Sequence, residues 1–349
     1  MIDGEIVLGA GQMDSGDEPA TAGIGLLKGC FTGQGLSMLD LNKATALGVS
    51  LLNQLTLHLE ILPYVNAPLQ QKGTYDISRS KYRVRNAEAP MKEQIEKVAQ
   101  WIVHSKRVVV FAGAGLSTES GIPDFRSPGG VWDRYNPEDF YFQNFMASET
   151  SREKYWQMAT EMYEPMKKAQ PNLAHLAIAE MEKLGKLDCI ITQNVDGLHH
   201  KAGNSEEKIL ELHGTAMHVA CMQCHKRYDR EKVQERWRNG EKAPRCNDCG
   251  GPLKPATISF GQPMPEQETE EAYQRSSLCD LFIVIGSSLV VQPAASMPLV
   301  AKRNGAKLVI INRDPTSSDD VADMTIHGQA GPIMTHILDN VKKGLGIQG

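Results

Sequence analysis

The sequence predicts an α/β fold built on a doubly wound parallel sheet. Apolar, β-branched segments recur along the chain and alternate with stretches of helical periodicity, as in parallel sheets. One such stretch carries Ile95, Val98 and Ile102 on one face and begins near Met91, and residues 172–185 form another. The candidate strands are residues 108–111, 187–192, 281–286 and 307–312. Because these strands are continuously apolar, we expect helices on both faces of the sheet.

The N-terminal quarter differs in composition from the rest of the chain. At 349 residues, the length favours one large domain with an insertion, or two domains. Residues 1–36 hold nine glycines and few large apolar side chains, so they cannot offset their ordering entropy. Leucines recur at helical spacing over residues 38–61, and residues 62–90 resemble a linker. We predict a partly disordered extension over residues 1–90 and a folded domain over residues 91–349.

Composition argues against nucleic-acid and membrane functions. The chain has 37 Lys and Arg residues against 42 Asp and Glu, a net charge of −5, so no basic footprint for nucleic acid is evident. The first twenty residues contain no Lys or Arg and no apolar run of signal-peptide length. The longest apolar stretch, residues 281–285, is too short to cross a bilayer. We therefore expect a soluble, cytoplasmic protein.

A glycine turn follows the first candidate strand. Gly113 and Gly115 stand where a nucleotide-binding turn brings backbone amides close to a phosphate. A dehydrogenase would have its third glycine at Thr118 and a second strand ending in an acid about 20 residues later, and neither is present. The turn instead enters the polar segment 118–127, whose Gly and Pro prevent a continuing helix. A long loop over a nucleotide site indicates chemistry on the nucleotide itself.

Polar side chains follow the second candidate strand. Asn194 and Asp196 come after the apolar run 189–191, at the strand end where open α/β sheets bind ligands. Their amide and carboxylate suit a nicotinamide carboxamide and a ribose. His213 precedes Gly214 in a strand-to-loop context, and a neutral imidazole can accept a hydroxyl proton at neutral pH. A lone histidine is more often structural, so this pattern alone leaves its role open.

Four of the seven cysteines form two Cys-x-x-Cys pairs. Cys221 and Cys224 are separated from Cys246 and Cys249 by 21 residues, which is close to the zinc-ribbon spacing. Four thiolates close a tetrahedral site with no open position for water, so we expect one structural zinc ion per chain. The predicted core or incidental thiols are Cys30, Cys189 and Cys279.

From about residue 91 to the C terminus, the sequence resembles the sirtuin family. The matching segments are Gly113-Ala114-Gly115, Gly121-Ile122-Pro123-Asp124-Phe125-Arg126, Thr192-Gln193-Asn194-Val195-Asp196, His213-Gly214 and the two cysteine pairs. The resemblance implies a Rossmann-like sheet with a smaller zinc-ribbon and helical domain inserted, the zinc module covering about residues 215–256. It also implies an NAD-dependent protein-lysine deacylase, closest to the zinc-containing bacterial and mitochondrial-type members.

The resemblance also implies roles for individual residues. The implied catalytic residues are His213, Asn194 and Asp196, and the implied peptide groove is Ser259, Phe260 and Gly261. The implied NAD contacts are Gly113, Ala114, Gly115, Ser117, Thr118, Ile122, Asp124, Phe125, Arg126, Trp132, Gln193, Asn194, Asp196, Gly286, Ser287, Ser288, Asn312, Arg313, Asp314 and Ala330.

In the implied reaction, the acyl-lysine oxygen attacks C1′ of the nicotinamide ribose and expels nicotinamide. His213 then deprotonates the ribose hydroxyl that attacks the resulting imidate, which gives free lysine and O-acyl-ADP-ribose. The implied partners are acylated-lysine proteins, without direct nucleic-acid or membrane partners, and the oligomeric state stays open.

Two departures from the family bear on specificity. Gln262 stands where the family usually has Glu, so a charge near the groove is missing. Members that remove succinyl or malonyl groups use a Tyr-x-x-Arg pair, and the corresponding stretch here, residues 155–158, ends in Met158. A methionine cannot neutralise a buried carboxylate. We therefore expect acidic acyl groups to be disfavoured, whereas acetyl and longer neutral chains remain open.

Other functions use the same residues. A protein mono-ADP-ribosyltransferase or a lipoamidase could use the same NAD site, and the transferase shares the step that expels nicotinamide. A non-catalytic NAD-binding module conflicts with the presence of both His213 and Asn194. A dehydrogenase is disfavoured because its glycine fingerprint is incomplete.

Overall fold

The computed structural model describes residues 88–347. The glycine-rich segment 1–36, the candidate helix at 38–61, Cys30 and nearly all of the proposed linker lie outside the described residues. The elements below fall within the predicted folded domain of residues 91–349, except that the first helix begins three residues earlier, at Glu88.

The described strands form two sheets. They are β1 Val108–Ala112, β2 Cys189–Thr192, β3 Ile209–Glu211, β4 Gly214–Cys221, β5 Arg227–Asp229, β6 Leu253–Thr257, β7 Leu281–Ile285, β8 Lys307–Asn312 and β9 Met324–His327. The larger sheet has the order β3-β2-β1-β7-β8-β9, and all its pairs are parallel. The predicted α/β fold class is confirmed.

Helices cover both faces of the large sheet. The described α-helices are α1 Glu88–His104, α2 Phe142–Ala147, α3 Glu149–Lys168, α4 Leu173–Lys183, α5 Leu198–Ala202, α6 Arg230–Arg238, α7 Glu266–Leu278, α8 Met297–Arg303 and α9 Ala330–Gly344. Val108 and Val110 pack with α1, α4 and α9 on one face, and Val109 and Phe111 pack with α7 and α8 on the other. Every residue of β1 and β7 is buried, which explains their continuous apolar sequences.

The strand order reverses at β1. The chain passes from β1 through β2 to β3 on one side, and then through β7 and β8 to β9 on the other. Ala112 at the end of β1 pairs with Thr192 of β2 and with Ile285 of β7, so these carboxyl ends lie level at one edge. A reversal of this kind opens a crevice in which α/β proteins bind ligands.

The smaller sheet is antiparallel, with the order β5-β4-β6, and lies between β3 and β7 along the chain. Helix α6 packs on it through Val233, which shares an apolar cluster with Val219, Leu253 and Trp156. The Trp156 indole N–H donates to the Leu253 carbonyl at 2.8 Å, and this bond ties α3 to the small sheet. No helix within residues 88–347 is long and apolar enough to span a membrane.

Candidate active site

A cavity of about 1280 Å³ lies at the carboxyl ends of β1, β2, β7 and β8. All the residues implied as NAD contacts, catalytic residues and groove residues line it, although they come from distant parts of the sequence. Small-molecule sites usually enclose about 300–1,000 Å³. This cavity therefore has room for a dinucleotide together with a substrate side chain.

The glycine turn after β1 is shaped by contact with the end of β7. A Cβ atom on Gly113 would lie 2.6 Å from the Gly286 carbonyl oxygen, and one on Gly115 would lie 2.8 Å from the same atom. From the sequence, these glycines were expected to allow close approach of the backbone to a phosphate. The structure gives a different reason for them, because two loops of the protein meet there.

The segment after this turn begins as a 3₁₀ helix, Ala114–Ser120, which the sequence argument did not anticipate. It ends at Gly121, where φ is 81°. The loop that follows is held by Asp124, which accepts hydrogen bonds from the backbone N–H groups of Arg126 and Ser127 and from the Ser127 hydroxyl. Burial opposes ionisation of Asp124, but these bonds outweigh it and lower the pKa of the carboxyl.

A buried polar network lies beneath the cavity. The Asn194 amide donates to the Gly113 carbonyl at 3.0 Å and to the Ser117 hydroxyl at 3.2 Å. The Ser117 hydroxyl donates to Asp196 at 2.7 Å, and the other Asp196 oxygen accepts from the Leu198 N–H at 2.9 Å. All three polar side chains are less than 10% exposed. Each therefore has a fixed orientation, as expected of groups that position a ligand.

Removing the centre of this network is expected to destabilise the fold. Ser117→Ala would leave the buried Oδ2 of Asp196 without a partner and would leave the Asn194 amide with only its bond to the Gly113 carbonyl. The free energy of unfolding should fall by about 1–3 kcal/mol, measured by denaturant titration. Ser277→Ala is the matched control, because that hydroxyl is exposed and bonds only within its own helix. Equal effects of the two substitutions would show that the network is not stabilising.

His213 is oriented by the backbone immediately after β2. Its Nδ1 lies 3.1 Å from the Gln193 carbonyl oxygen, which can only accept, so Nδ1 carries the proton in the neutral ring. Nε2 is then the basic nitrogen, and the side chain lines the cavity. Burial lowers the pKa of His213, partly opposed by the bond to Gln193. The imidazole is therefore neutral at pH 7 and able to accept a proton.

Two histidines that follow the buried network along the chain, His199 and His200, lie outside the cavity wall. His199 is 3% exposed and lies in the interior, with its ring 5.0 Å from that of His175. The side chain of His200 is 40% exposed and lies 3.9 Å from Glu211. Neither His199 nor His200 lines the cavity.

The predicted peptide groove lies beside His213. The Ile258 N–H donates to the His213 carbonyl, and the Phe142 N–H donates to the Phe260 carbonyl. The side chain of Gln262 accepts from the Ser259 N–H at 3.2 Å and closes the turn of the groove segment. An amide oxygen can accept this hydrogen bond as a carboxylate oxygen would. Gln262, in place of the family's usual Glu, therefore removes a negative charge and keeps the hydrogen bond that closes the turn.

Within the described residues, one side-chain group could hold a metal ion: Cys221, Cys224, Cys246 and Cys249. Their sulfur atoms all lie within 4.8 Å of one another, and two of the pairs are 3.5 and 3.7 Å apart. A tetrahedral zinc ion with bonds of about 2.3 Å requires sulfur separations of about 3.8 Å. The cluster therefore fits one structural zinc. Cys189 and Cys279 are buried elsewhere, as predicted.

Comparison with known proteins identifies the family. The family model described as "Sir2 family" matches residues 113–293. The NAD-dependent protein deacetylase 1 of Bradyrhizobium diazoefficiens is 45% identical over 250 residues, which cover 72% of this chain and 97% of that relative.

The chain belongs to the Sir2 family. Another Sir2 relative, the NAD-dependent protein deacylase 2 of Archaeoglobus fulgidus, is 42% identical over 72% of this chain and 98% of its own. The solved structure described as "Sir2-p53 peptide-NAD+" is 36% identical, with a TM-score of 0.65, and covers 72% of this chain and 99% of that one.

Some residues that line the cavity were not predicted from the sequence. The most notable is Arg230 at the start of α6, and Ala159 and Met162 of α3 also line the cavity. No motif surrounds Arg230 in the sequence, and its place in the site depends on how the small sheet packs on α3.

Proposed function

We propose that this protein is an NAD-dependent protein-lysine deacylase that transfers the acyl group to ADP-ribose. The observation that carries the proposal is the placement of His213, with a basic Nε2, in the same cavity as the network of Asn194, Ser117 and Asp196. The names of the Sir2 relatives support the same activity.

The donor set of the cavity fits NAD. Amide, hydroxyl and carboxylate groups gather at the ends of β1 and β2, as a carboxamide and a ribose require. Asn312 ends β8 on the other side and is followed by Arg313 and Asp314, and these residues would hold the adenosine half. When bound, NAD supplies a ribose carbon that accepts the acyl oxygen as nicotinamide leaves.

The protein groups then orient the reactants and move one proton. Asn194 and Asp196 hold their positions through Ser117, so little reorganisation is needed when a ligand binds. His213 accepts a ribose hydroxyl proton at Nε2, and the Gln193 carbonyl stabilises the resulting imidazolium through Nδ1–H. The groove segment presents backbone groups for main-chain pairing with a peptide, which allows many substrate sequences.

The partners and the domain bounds that we propose depend on this deacylase function. We propose acylated-lysine proteins as the partners of this protein. We also propose that residues 91–349 form the catalytic domain and that residues 1–90 form an extension to it. A cytoplasmic location stays a prediction from the sequence.

The direct test uses an acetyl-lysine peptide incubated with and without NAD and followed by mass spectrometry. Loss of the acetyl group only when NAD is present supports the proposal. An intact peptide together with ADP-ribose attached to a protein would favour the transferase instead.

The pH dependence of kcat should follow His213. Because burial lowers its pKa, the ring stays neutral down to pH values below the usual value of about 6.5. The rate should therefore be flat near neutrality and fall only under more acidic conditions, as the base becomes protonated. A steady-state pH profile checks this.

Glu211 needs a separate control. Burial, with Asp196 nearby, raises its pKa to about 7, so it titrates in the range where the rate should be flat. The profile should keep its acidic limb in Glu211→Gln. If the fall in rate at acidic pH disappeared in Glu211→Gln, that fall would report the titration of Glu211 and not of His213.

A further inference from the structure

The four sulfur ligands of the cysteine cluster differ in burial. Cys221 is 0% exposed and Cys246 is 4% exposed, whereas Cys224 and Cys249 are exposed. Four thiolates carry more negative charge than one Zn²⁺ ion neutralises, and the excess remains largely on sulfur. Water can solvate the exposed sulfur atoms. The buried ones instead need hydrogen-bond donors from the protein.

The backbone supplies donors to Cys221. The N–H groups of Gln223 and Cys224 lie 3.4 and 3.5 Å from its Sγ atom. Both groups belong to the turn between the two cysteines of this pair. This turn therefore provides the donors without help from a side chain.

A side chain supplies a donor to Cys246. The hydroxyl oxygen of Tyr228 lies 3.0 Å from the Cys246 Sγ, which is closer than either backbone contact to Cys221. A metal-bound thiolate has no proton to donate, so in the zinc-loaded cluster the phenol is the donor and sulfur the acceptor.

The fold holds this hydroxyl in place. Tyr228 lies in β5 opposite Val219 of β4, and its ring packs on the apolar cluster that contains Val219 and Cys246. Lys226 Nζ lies 5.6 Å from the centre of the ring and forms an ion pair with Asp248, which lies between the cysteines of the second pair. Because strand pairing and packing fix the ring, the hydroxyl is already directed at sulfur.

We propose that the Tyr228 hydroxyl stabilises the zinc-bound Cys246 thiolate by donating a hydrogen bond to it, and that it thereby raises the affinity of the cluster for zinc. Groups that donate to metal ligands in this way typically contribute roughly 10- to 100-fold to metal affinity. The small sheet ends in β6, which leads into the peptide groove, so Tyr228 supports the groove only through the metal. The proposal concerns zinc and does not depend on the deacylase function.

The test removes the hydroxyl and keeps the ring. Full-length Tyr228→Phe should bind zinc roughly 10- to 100-fold more weakly than the wild type in competition with a chelator of known affinity, because a buried thiolate loses a donor. Neither NAD nor a peptide is present. Tyr273→Phe is the matched control, because this half-buried tyrosine lies on α7 and its hydroxyl lies 2.8 Å from that of Ser296. It should bind zinc as the wild type does.

A cobalt spectrum separates a bond to sulfur from a general effect on the fold. Co²⁺ can replace Zn²⁺ in a tetrahedral thiolate site, where it gives a sulfur-to-metal charge-transfer band. A hydrogen bond lowers the energy of the sulfur lone pair. Its loss in Tyr228→Phe should therefore move the band to longer wavelength, whereas Tyr273→Phe should leave the band in place.

The two measurements together decide the proposal. Weaker zinc binding accompanied by the band shift supports it. If zinc affinity falls and the band does not move, the hydroxyl acts on the small sheet and not on sulfur, and the proposal fails. Equal zinc affinities of Tyr228→Phe and the wild type overturn it whatever the band does. A wild-type protein that takes up neither metal overturns it together with the structural zinc site, but not the deacylase function.

Discussion

Replacing His213 by alanine is expected to lower kcat for deacylation by about 10²–10⁴-fold, the contribution typical of a positioned general base. The effect should fall on the transfer of the acyl group, because Nε2 acts on the ribose hydroxyl and not on the nicotinamide bond. Rapid-quench measurements of nicotinamide release and of deacylated peptide separate the two steps.

The matched control for this variant is His200→Ala. Its side chain is 40% exposed, does not line the cavity and lies on the short helix that follows the network. It should keep the wild-type rate. The His213 assignment would be refuted by a variant that folds, as shown by its circular dichroism spectrum, and deacylates at the normal rate.

The second large effect concerns the cysteine cluster. Cys221→Ser is expected to remove zinc and unfold the small sheet, because metal binding in structural sites of this kind contributes about 10–16 kcal/mol in isolated zinc-finger peptides. That exceeds the whole stability of many domains, about 5–15 kcal/mol. Zinc content and thermal unfolding of the purified protein are the measurements.

Cys279→Ser is the control for the zinc prediction. This thiol is buried in the large-sheet core and donates to the Ser276 carbonyl, a bond that a serine hydroxyl can also make. The variant should retain one zinc ion per chain. Retention of zinc and of the unfolding temperature in Cys221→Ser would contradict a structural role for the cluster.

The central strands could be predicted because burial on both faces leaves a clear apolar signal. The predicted bounds of β8 match the observed ones. The predicted β7 extended one residue beyond the observed strand, to Gly286. The edge strands β3 and β9 were missed, since they have three and four residues and their burial is incomplete. Such short segments resemble loops until a neighbouring strand pairs with them.

The site was predictable where its residues form local patterns. Asn194 and Asp196 share one strand end, and the cysteines share a spacing, so each set could be recognised from the chain alone. The contact between Gly113 and Gly286 could not, because it joins segments far apart in the sequence. The position of Arg230 in the cavity wall could not be predicted for the same reason, because it depends on the packing of α6 on α3.

The central claim is that the acyl group leaves lysine for ADP-ribose. It is tested most directly by mass spectrometry that quantifies nicotinamide, deacylated peptide and O-acyl-ADP-ribose from one reaction with an acetyl-lysine peptide. The account predicts equal amounts of the three products, all lost together in His213→Ala at steady state. Deacylated peptide accompanied by free acetate, with NAD left intact, would contradict it.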